Sequence, residues 1–214
     1  MFFIGIYTAP DNAQTGLVII DKFLKNIKHH YRLVTAWEPP LAGIEKTIAD
    51  HYNNPSYMTR KRVFSQDKRP AKDVNAHPTL IMASLDTDKG SCRKLRDEHI
   101  PVEYVRVTQN PAVTIEEPGK AGVGRDFSVP ETAFGDTLQQ VLQQKRLCGL
   151  AENLESIPTA LQDFLSQAVN SPAIAFPAEW PATASALAAI LWFRENNRYT
   201  RTYRTSSTRT RRFG

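Results

Sequence analysis

The sequence predicts an α/β protein, in which a doubly wound, mostly parallel sheet is followed by a small helical region. Apolar runs typical of strands alternate with segments of helical periodicity over residues 1 to 108. The strongest run, Thr79 to Leu85, is apolar at nearly every position, as expected for a strand covered on both faces. From Gln109 to Pro130 the chain is rich in Pro and Gly and lacks periodicity, and helical spacing returns after it.

The predicted sheet domain, residues 1 to 108, opens with a strand from Phe3 to Thr8 and an amphipathic helix from Leu17 to His30. Further elements are expected in this order: a strand from Arg32 to Trp37, a helix over Leu41 to Tyr52, a weaker strand from Lys61 to Gln66, the strand from Thr79 to Leu85, a helix ending near His99 and a strand from Pro101 to Val107. The carboxyl ends of these strands form the expected ligand edge.

The second half of the chain is predicted to be a linker, residues 109 to 130, and a helical region, residues 131 to 214. The last helix of this region is expected from Ala184 to Asn196, a stretch rich in Ala and Leu. Its last stretch, Arg198 to Phe213, consists mainly of Arg, Thr and Tyr, and a run of β-branched and aromatic residues favours strands. Thr205 to Thr208 lies at its centre like a hairpin turn. Helices followed by a basic hairpin suggest a winged helix.

Composition excludes several classes of protein. The chain has 214 residues, 41% of them hydrophobic, which is enough for a core. Its two cysteines, without a Cys/His cluster, predict neither a disulfide framework nor a structural zinc site. The apolar start lacks a basic region, and no apolar run reaches the roughly 18 residues of a membrane span. We therefore expect a cytoplasmic protein without a membrane partner.

The net charge of +5 is unevenly distributed. Seven Arg and one Glu lie between Phe193 and Gly214, so this end carries +6 and residues 1 to 192 carry −1. A second basic stretch, Arg60 to Lys72, contains six basic residues and one acidic residue. The sequence thus predicts an acidic body with two basic surfaces.

The Arg-rich end has the composition of a nucleic-acid-binding segment. Arg forks donate to phosphates, Thr hydroxyls add neutral donors, and tyrosine rings can stack on bases. The predicted contact residues are Arg198, Arg201, Tyr203, Arg204, Arg209, Arg211 and Arg212. A solvated tail, or a tail that docks an acidic protein surface within a larger assembly, remains an alternative.

The second basic stretch spans the weak third strand and the loop after it, which would place it at or near the predicted ligand edge. Its candidate phosphate-binding side chains are Arg60, Lys61, Arg62, Lys68 and Arg69. An ordinary hydrated loop is the alternative. DNA is favoured over RNA as the partner, and no cofactor is expected.

The turn after the strongest strand opens a helix and offers two chemistries. Gly90, Ser91 and Arg93 lie at the helix start, where backbone N–H groups favour an anion such as phosphate. Asp86 and Asp88 precede them and would repel a phosphate unless a divalent cation lay between. Asp88 could also simply cap the helix.

The order of elements over residues 3 to 107, and especially the segment from Thr79 to Val107, resembles the Rossmann-like superfamily that includes the DNA-processing protein A family and the cytokinin-activating phosphoribohydrolases. The similarity lies in the apolar strand, the Gly90-Ser91 helix start and Ile100-Pro101-Val102 before the next strand. In that superfamily the corresponding helix start binds phosphate. The Pro-Gly-Gly-x-Gly-Thr signature of the phosphoribohydrolases is missing, so the resemblance implies DNA binding rather than that activity.

A competing interpretation is similarity to a Toprim domain, as found in primases, topoisomerases and some nucleases. Glu38 ends one predicted strand, while Asp86 and Asp88 end another. These carboxylates could hold Mg²⁺ for phosphoryl transfer. The sequence therefore predicts a nucleic-acid-binding protein, with a Mg²⁺-dependent enzyme as the alternative.

Overall fold

A computed structural model describes residues 1–9, 14–63, 72–85, 89–116, 124–149, 152–171 and 180–196. Within them it contains ten strands and five α-helices. The strands are β1 (Phe2–Thr8), β2 (Thr15–Lys25), β3 (Lys28–Trp37), β4 (Thr59–Val63), β5 (Lys72–Ala76), β6 (Thr79–Ser84), β7 (Val102–Thr108), β8 (Thr114–Glu116), β9 (Asp126–Pro130) and β10 (Leu147–Cys148). The helices are α1 (Ile44–Tyr52), α2 (Gly90–Asp97), α3 (Glu131–Gln143), α4 (Thr159–Asn170) and α5 (Ala182–Glu195). None of the helices in these ranges is long and apolar enough to cross a membrane.

Eight strands form one mixed sheet in the order β10-β3-β2-β1-β6-β7-β9-β8. Strands β1, β6, β7 and β9 are parallel neighbours, and β10 lies parallel to β3. The first three strands form an antiparallel meander, and β8 closes the far edge antiparallel to β9. The α/β class with a mostly parallel sheet is confirmed, and this arrangement is compatible with a Rossmann-like fold.

The predicted helix over Leu17 to His30 is wrong, because this segment forms β2 and the start of β3. Leu17 and Ile19 point to one face of the sheet, while Val18 and Ile20 point to the other, and all four are buried. A strand buried on both faces has apolar residues at consecutive positions, which hides the alternation expected of a strand. A turn at Asn26 and Ile27 then reverses the chain into β3.

The sheet is covered on both faces, which gives three layers. Helices α1 and α2 cover one face, where Ile4, Ile48 and Leu95 belong to the same apolar cluster. Helices α3, α4 and α5 cover the other face in a second, larger cluster. Successive residues of β1 alternate between the two clusters, as the pleat of a strand requires.

The segment predicted as a linker contains two strands of the main sheet, β8 and β9. Phe127 in β9 contacts the rings of Trp192 and Phe193 at centroid distances of 5.9 and 5.8 Å. The linker prediction is therefore wrong for residues 114–116 and 126–130. One hydrophobic cluster extends across the predicted boundary at residue 108.

Helix α5 packs closely along β1 and β2 and runs antiparallel to β1. A Cβ atom added at Gly16 would lie 2.1 Å from the carbonyl carbon of Ala182, and one added at Gly5 would lie 2.6 Å from the side chain of Ile190. Two glycines thus permit the close approach of the helix. Because Gly16 pairs with Tyr7 near the end of β1, α5 begins at the carboxyl end of β1 and ends at its amino end.

The weak strand predicted from Lys61 to Gln66 does not belong to the main sheet. Strand β4 pairs with β5 in a separate antiparallel hairpin, with Thr59 opposite Ala76. The basic stretch is therefore inserted between α1 and β6. The predicted hairpin, Arg198 to Phe213, lies outside the described residues, so the winged helix stays a prediction.

Candidate nucleic-acid interface

The helix start at Gly90 and Ser91 lies at the carboxyl end of the sheet, as predicted, but it faces a carboxylate. The Ser91 hydroxyl donates to Oε1 of Glu45 at 2.9 Å, and Nζ of Lys94 approaches the same oxygen at 3.0 Å. Burial raises the pKa of the Glu45 carboxyl, but hydrogen bonds from its own backbone N–H, Lys94 and Ser91 lower it further. Glu45 therefore stays ionised and takes the hydroxyl donor that a phosphate would need.

The charged side chains of α2 are largely paired. Lys89 Nζ and Arg96 Nη2 each lie 2.7 Å from an oxygen of Asp126. Burial raises the pKa of Asp126, but these two hydrogen bonds outweigh burial and hold that pKa below its usual value. Arg93 is exposed to solvent on the same helix. The geometry gives this helix start a structural role that fixes α2 against α1 and β9.

The proposed Mg²⁺ ligands come from strands that are not neighbours. Glu38 follows β3 and is exposed, whereas Asp86 and Asp88 lie outside the described residues and follow β6. Because β2 and β1 separate β3 from β6, the ends of β3 and β6 are about 14 Å apart. In the described part of the chain, no three His, Cys, Asp or Glu side chains form a group that could hold a metal ion.

The basic hairpin β4–β5 leaves the sheet at the amino ends of β1 and β6, which we call the amino edge. Ala76 at its base is three residues from Thr79, which pairs with Phe3. Tyr57, just before β4, contacts the ring of Phe2 edge-on at 5.5 Å between centroids. The prediction that the second basic stretch lies at the carboxyl edge is therefore wrong, because β4 is not a strand of the main sheet.

Two of the five predicted phosphate contacts in the second basic stretch lie outside the described residues, namely Lys68 and Arg69. Arg60 is exposed on β4, while Lys61 and Arg62 follow it in the same strand. The backbone pairing of β4 with β5 keeps all three on one hairpin at the amino edge.

The Arg-rich end is joined to the same edge. Helix α5 ends at Glu195, and the guanidinium carbon of Arg194 lies 4.9 Å from the ring centroid of Phe3. Phe2 and Phe3 are consecutive strand residues and point to opposite faces. The two basic segments therefore start from opposite faces at one end of β1. The predicted contact residues themselves, Arg198, Arg201, Tyr203, Arg204, Arg209, Arg211 and Arg212, lie outside the described residues.

Two cations, Lys22 and Arg194, lie between these segments beside Glu195, a carboxylate that is already ion-paired with Arg146. Glu195 forms a two-pronged ion pair with Arg146, at 2.8 and 3.0 Å, and accepts the hydroxyl of Tyr31. Neither Lys22 nor Arg194 forms an ion pair with any described carboxylate. Burial, and then the charge of Arg194, lower the pKa of Lys22 from 10.5 to about 8. Glu195 offsets only part of this effect, so a further anion beside Lys22 and Arg194 would be favourable.

Strands β2 and β3 extend beyond β1 at the amino edge as a two-stranded ribbon. Lys22 N–H donates to the carbonyl of Met1 at 2.9 Å, and the pairs from Phe23–His30 to Lys25–Lys28 lie beyond β1. The sequence pattern does not reveal the ribbon or Lys22, because the spacing of apolar residues predicts a helix there. The signal that could have found them is Asn26, a turn former between two runs of strand-forming residues.

Comparisons with protein-family models, with curated proteins and with solved structures find no match for this chain. The resemblance to the Rossmann-like superfamily therefore stays a prediction. The functional conclusion rests on the charge pattern and on the geometry of the amino edge.

Proposed function

We propose that this protein binds nucleic acid, DNA in preference to RNA, along the amino edge of its sheet. The observation that carries this proposal is the position of the two basic segments. One starts beside Phe2 on one face of the sheet, and the other starts beside Phe3 on the opposite face. Lys22 and Arg194 lie between them and lack an ion pair with a described carboxylate.

Charge and chemistry favour a polyanion over a single phosphate. The segments from Arg60 to Lys72 and from Phe193 to Gly214 carry +5 and +6, so the rest of the chain carries −6. At 0.1 M salt the interaction between charges is largely screened beyond about 10 Å. Basic segments that share an edge of the sheet can therefore attract the same polyanion together. Arg, Thr and Tyr in the second segment match the phosphates, sugars and bases of nucleic acid.

Truncation after Asn196 tests this proposal. We expect the truncated protein to bind a labelled DNA duplex at least about 100-fold more weakly at 50 mM salt, since six arginines of residues 197 to 214 are removed. The slope of log affinity against log salt should become shallower by about 0.9 for each phosphate that the protein no longer neutralises. Fluorescence anisotropy over a salt series measures both quantities.

The contribution of the β4–β5 hairpin to DNA binding is tested against a matched control variant on another part of the surface. Arg60→Gln should weaken binding, whereas Lys46→Gln removes the same charge from an exposed position on α1 and should leave binding nearly unchanged. Full, salt-sensitive affinity after truncation would contradict the proposal. An acidic protein that co-purifies after nuclease treatment and is lost on truncation would favour assembly docking instead. Mg²⁺-dependent turnover that Asp86→Ala/Asp88→Ala abolishes would favour the enzyme.

The pH dependence of binding is a separate prediction. Lys22 faces Arg194 and Glu195 on α5 and His29 on β3, and its pKa of about 8 means that it is half neutral at pH 8. A phosphate nearby favours the ammonium form, so binding takes up a proton and affinity should fall as pH rises from 7 to 9. Anisotropy titrations check this. Lys22→Arg, which stays charged, should flatten the profile, and an unchanged profile would exclude Lys22 from the interface.

A further inference from the structure

The tip of the β2–β3 ribbon has a strained backbone. Asn26 and Ile27 have φ values of 50° and 66°, and they connect the pair Lys25–Lys28. A two-residue turn of this kind needs positive φ at both positions, which suits Asn-Gly. Asn26 tolerates this region, whereas a β-branched residue such as Ile27 is strained in it. Glycine would be the stabilising choice at position 27.

The same residue is the most exposed large apolar side chain of the described structure. Ile27 is 94% exposed, and Leu24 on the same ribbon is 64% exposed. An apolar side chain that is both solvated and held in a strained conformation contributes little to folding. Strain of this kind is typical of sites that bind a partner.

The ribbon carries positive charge beside this apolar tip. Lys25 and Lys28 flank the turn, both are exposed, and neither forms an ion pair with a described carboxylate. The three residues of each strand that extend past β1 reach about 10 Å from the sheet. The tip therefore projects from the edge at which Lys22, Arg194 and the two basic segments lie.

We propose that the ribbon tip inserts Ile27 as an apolar wedge between base pairs in the minor groove of duplex DNA, with Lys25 and Lys28 against the flanking phosphates. This inference rests on the proposed function and specifies its ligand as a deformable duplex. Burial of the exposed Ile27 side chain is favourable and offsets part of the free energy needed to unstack a base step. The charges on both sides of the tip fit the two backbones that border the groove.

A lipid surface also attracts exposed apolar and basic side chains, but the ribbon fits it less well. Two apolar side chains bury less area than one acyl chain, which itself gives only marginal membrane binding. A base step, by contrast, accommodates one apolar side chain at a time. Vesicles are therefore included in the test as the competing ligand.

Ile27→Gly distinguishes a role of Ile27 in DNA deformation from a role in folding, because this variant should raise Tm while it impairs DNA deformation. Wild-type protein should increase the emission of 2-aminopurine placed in a flexible duplex and should bring dyes at its two ends closer together. Ile27→Gly should lose both signals and bind about tenfold more weakly, with an unchanged salt slope. Lys25→Gln/Lys28→Gln should instead make the salt slope shallower. Val169→Ala, at another exposed apolar residue on α4, is the matched control and should bind as wild type does.

The outcomes distinguish the wedge from the proposed function. If wild-type protein binds the duplex and Ile27→Gly leaves both deformation signals intact, the wedge is refuted and nucleic-acid binding stands. If wild-type protein binds no duplex at any salt concentration, both proposals fail. Binding to phosphatidylserine vesicles that depends on Ile27, without duplex deformation, would assign the tip to a lipid surface. A lower Tm for Ile27→Gly would refute the strain at the turn.

Discussion

Replacement of Gly16 by valine is expected to destabilise the fold by about 3 kcal/mol or more, because the added atoms collide with backbone rather than with a movable side chain. The Cβ atom would lie 2.1 Å from the carbonyl carbon of Ala182 and 2.3 Å from the amide nitrogen of Thr183. The first turn of α5 would have to move off β2 and expose part of the larger apolar cluster. Urea denaturation followed by circular dichroism measures the free energy of unfolding.

Gly43→Asn is the control for this substitution. Gly43, unlike Gly16, has a positive φ, of 78°, and a Cβ added there meets no atom within 4 Å. Asn tolerates this region, so the control should cost less than about 1 kcal/mol. If both variants were equally stable, the close packing of α5 on Gly16 would be contradicted.

Glu195→Ala should destabilise the protein by about 3 kcal/mol at pH 7, since it leaves the buried Arg146 guanidinium without its carboxylate. Arg146 is 5% exposed, and Glu195 accepts from it at 2.8 and 3.0 Å. Loss of this carboxylate also removes the acceptor of the Tyr31 hydroxyl and the negative charge next to Lys22 and Arg194. Chemical denaturation of the wild-type protein and of Glu195→Ala measures the difference in the free energy of unfolding.

The double variant Arg146→Met/Glu195→Leu tests the cause. Replacement of both partners by apolar residues should recover most of the lost stability. The effect should also depend on pH. Burial raises the pKa of Glu195, but Arg146 and Tyr31 lower it further, so its stabilising contribution is present above pH 4.5 and declines as pH falls below that value. A double variant as unstable as Glu195→Ala would show that packing, not charge, dominates.

The elements best predicted from the sequence are those with an unambiguous pattern. The strand predicted from Thr79 to Leu85 is observed as Thr79–Ser84, and the last helix, expected from residue 184 to 196, is observed as Ala182–Glu195. Both are apolar at nearly every position and are bounded by turn formers. The helix predicted from Leu17 to His30 is wrong because the apolar residues of this segment fit a helical period of 3.6 residues and also fit a strand buried on both faces.

The basic residues could be identified from the sequence, but their common location could not. Arg60 and the Arg-rich end are evident from charge alone. Their convergence depends on β4 pairing outside the main sheet and on α5 running antiparallel to β1, and neither feature has a local signature. The same holds for Lys22, whose low pKa arises from burial and from a cation 172 positions later in the chain.

The packing of α5 on β1 and β2 also has a consequence for synthesis of the chain on the ribosome. The glycines that receive the helix are at positions 5 and 16, whereas the helix spans Ala182 to Glu195. Contacts this distant in sequence form late and slow folding. At typical elongation rates, α5 is synthesised on the order of ten seconds or more after Phe3 and Val18. The apolar face around these residues stays exposed for that time. A nascent chain that stalls before residue 182 should therefore depend on chaperones to stay unaggregated.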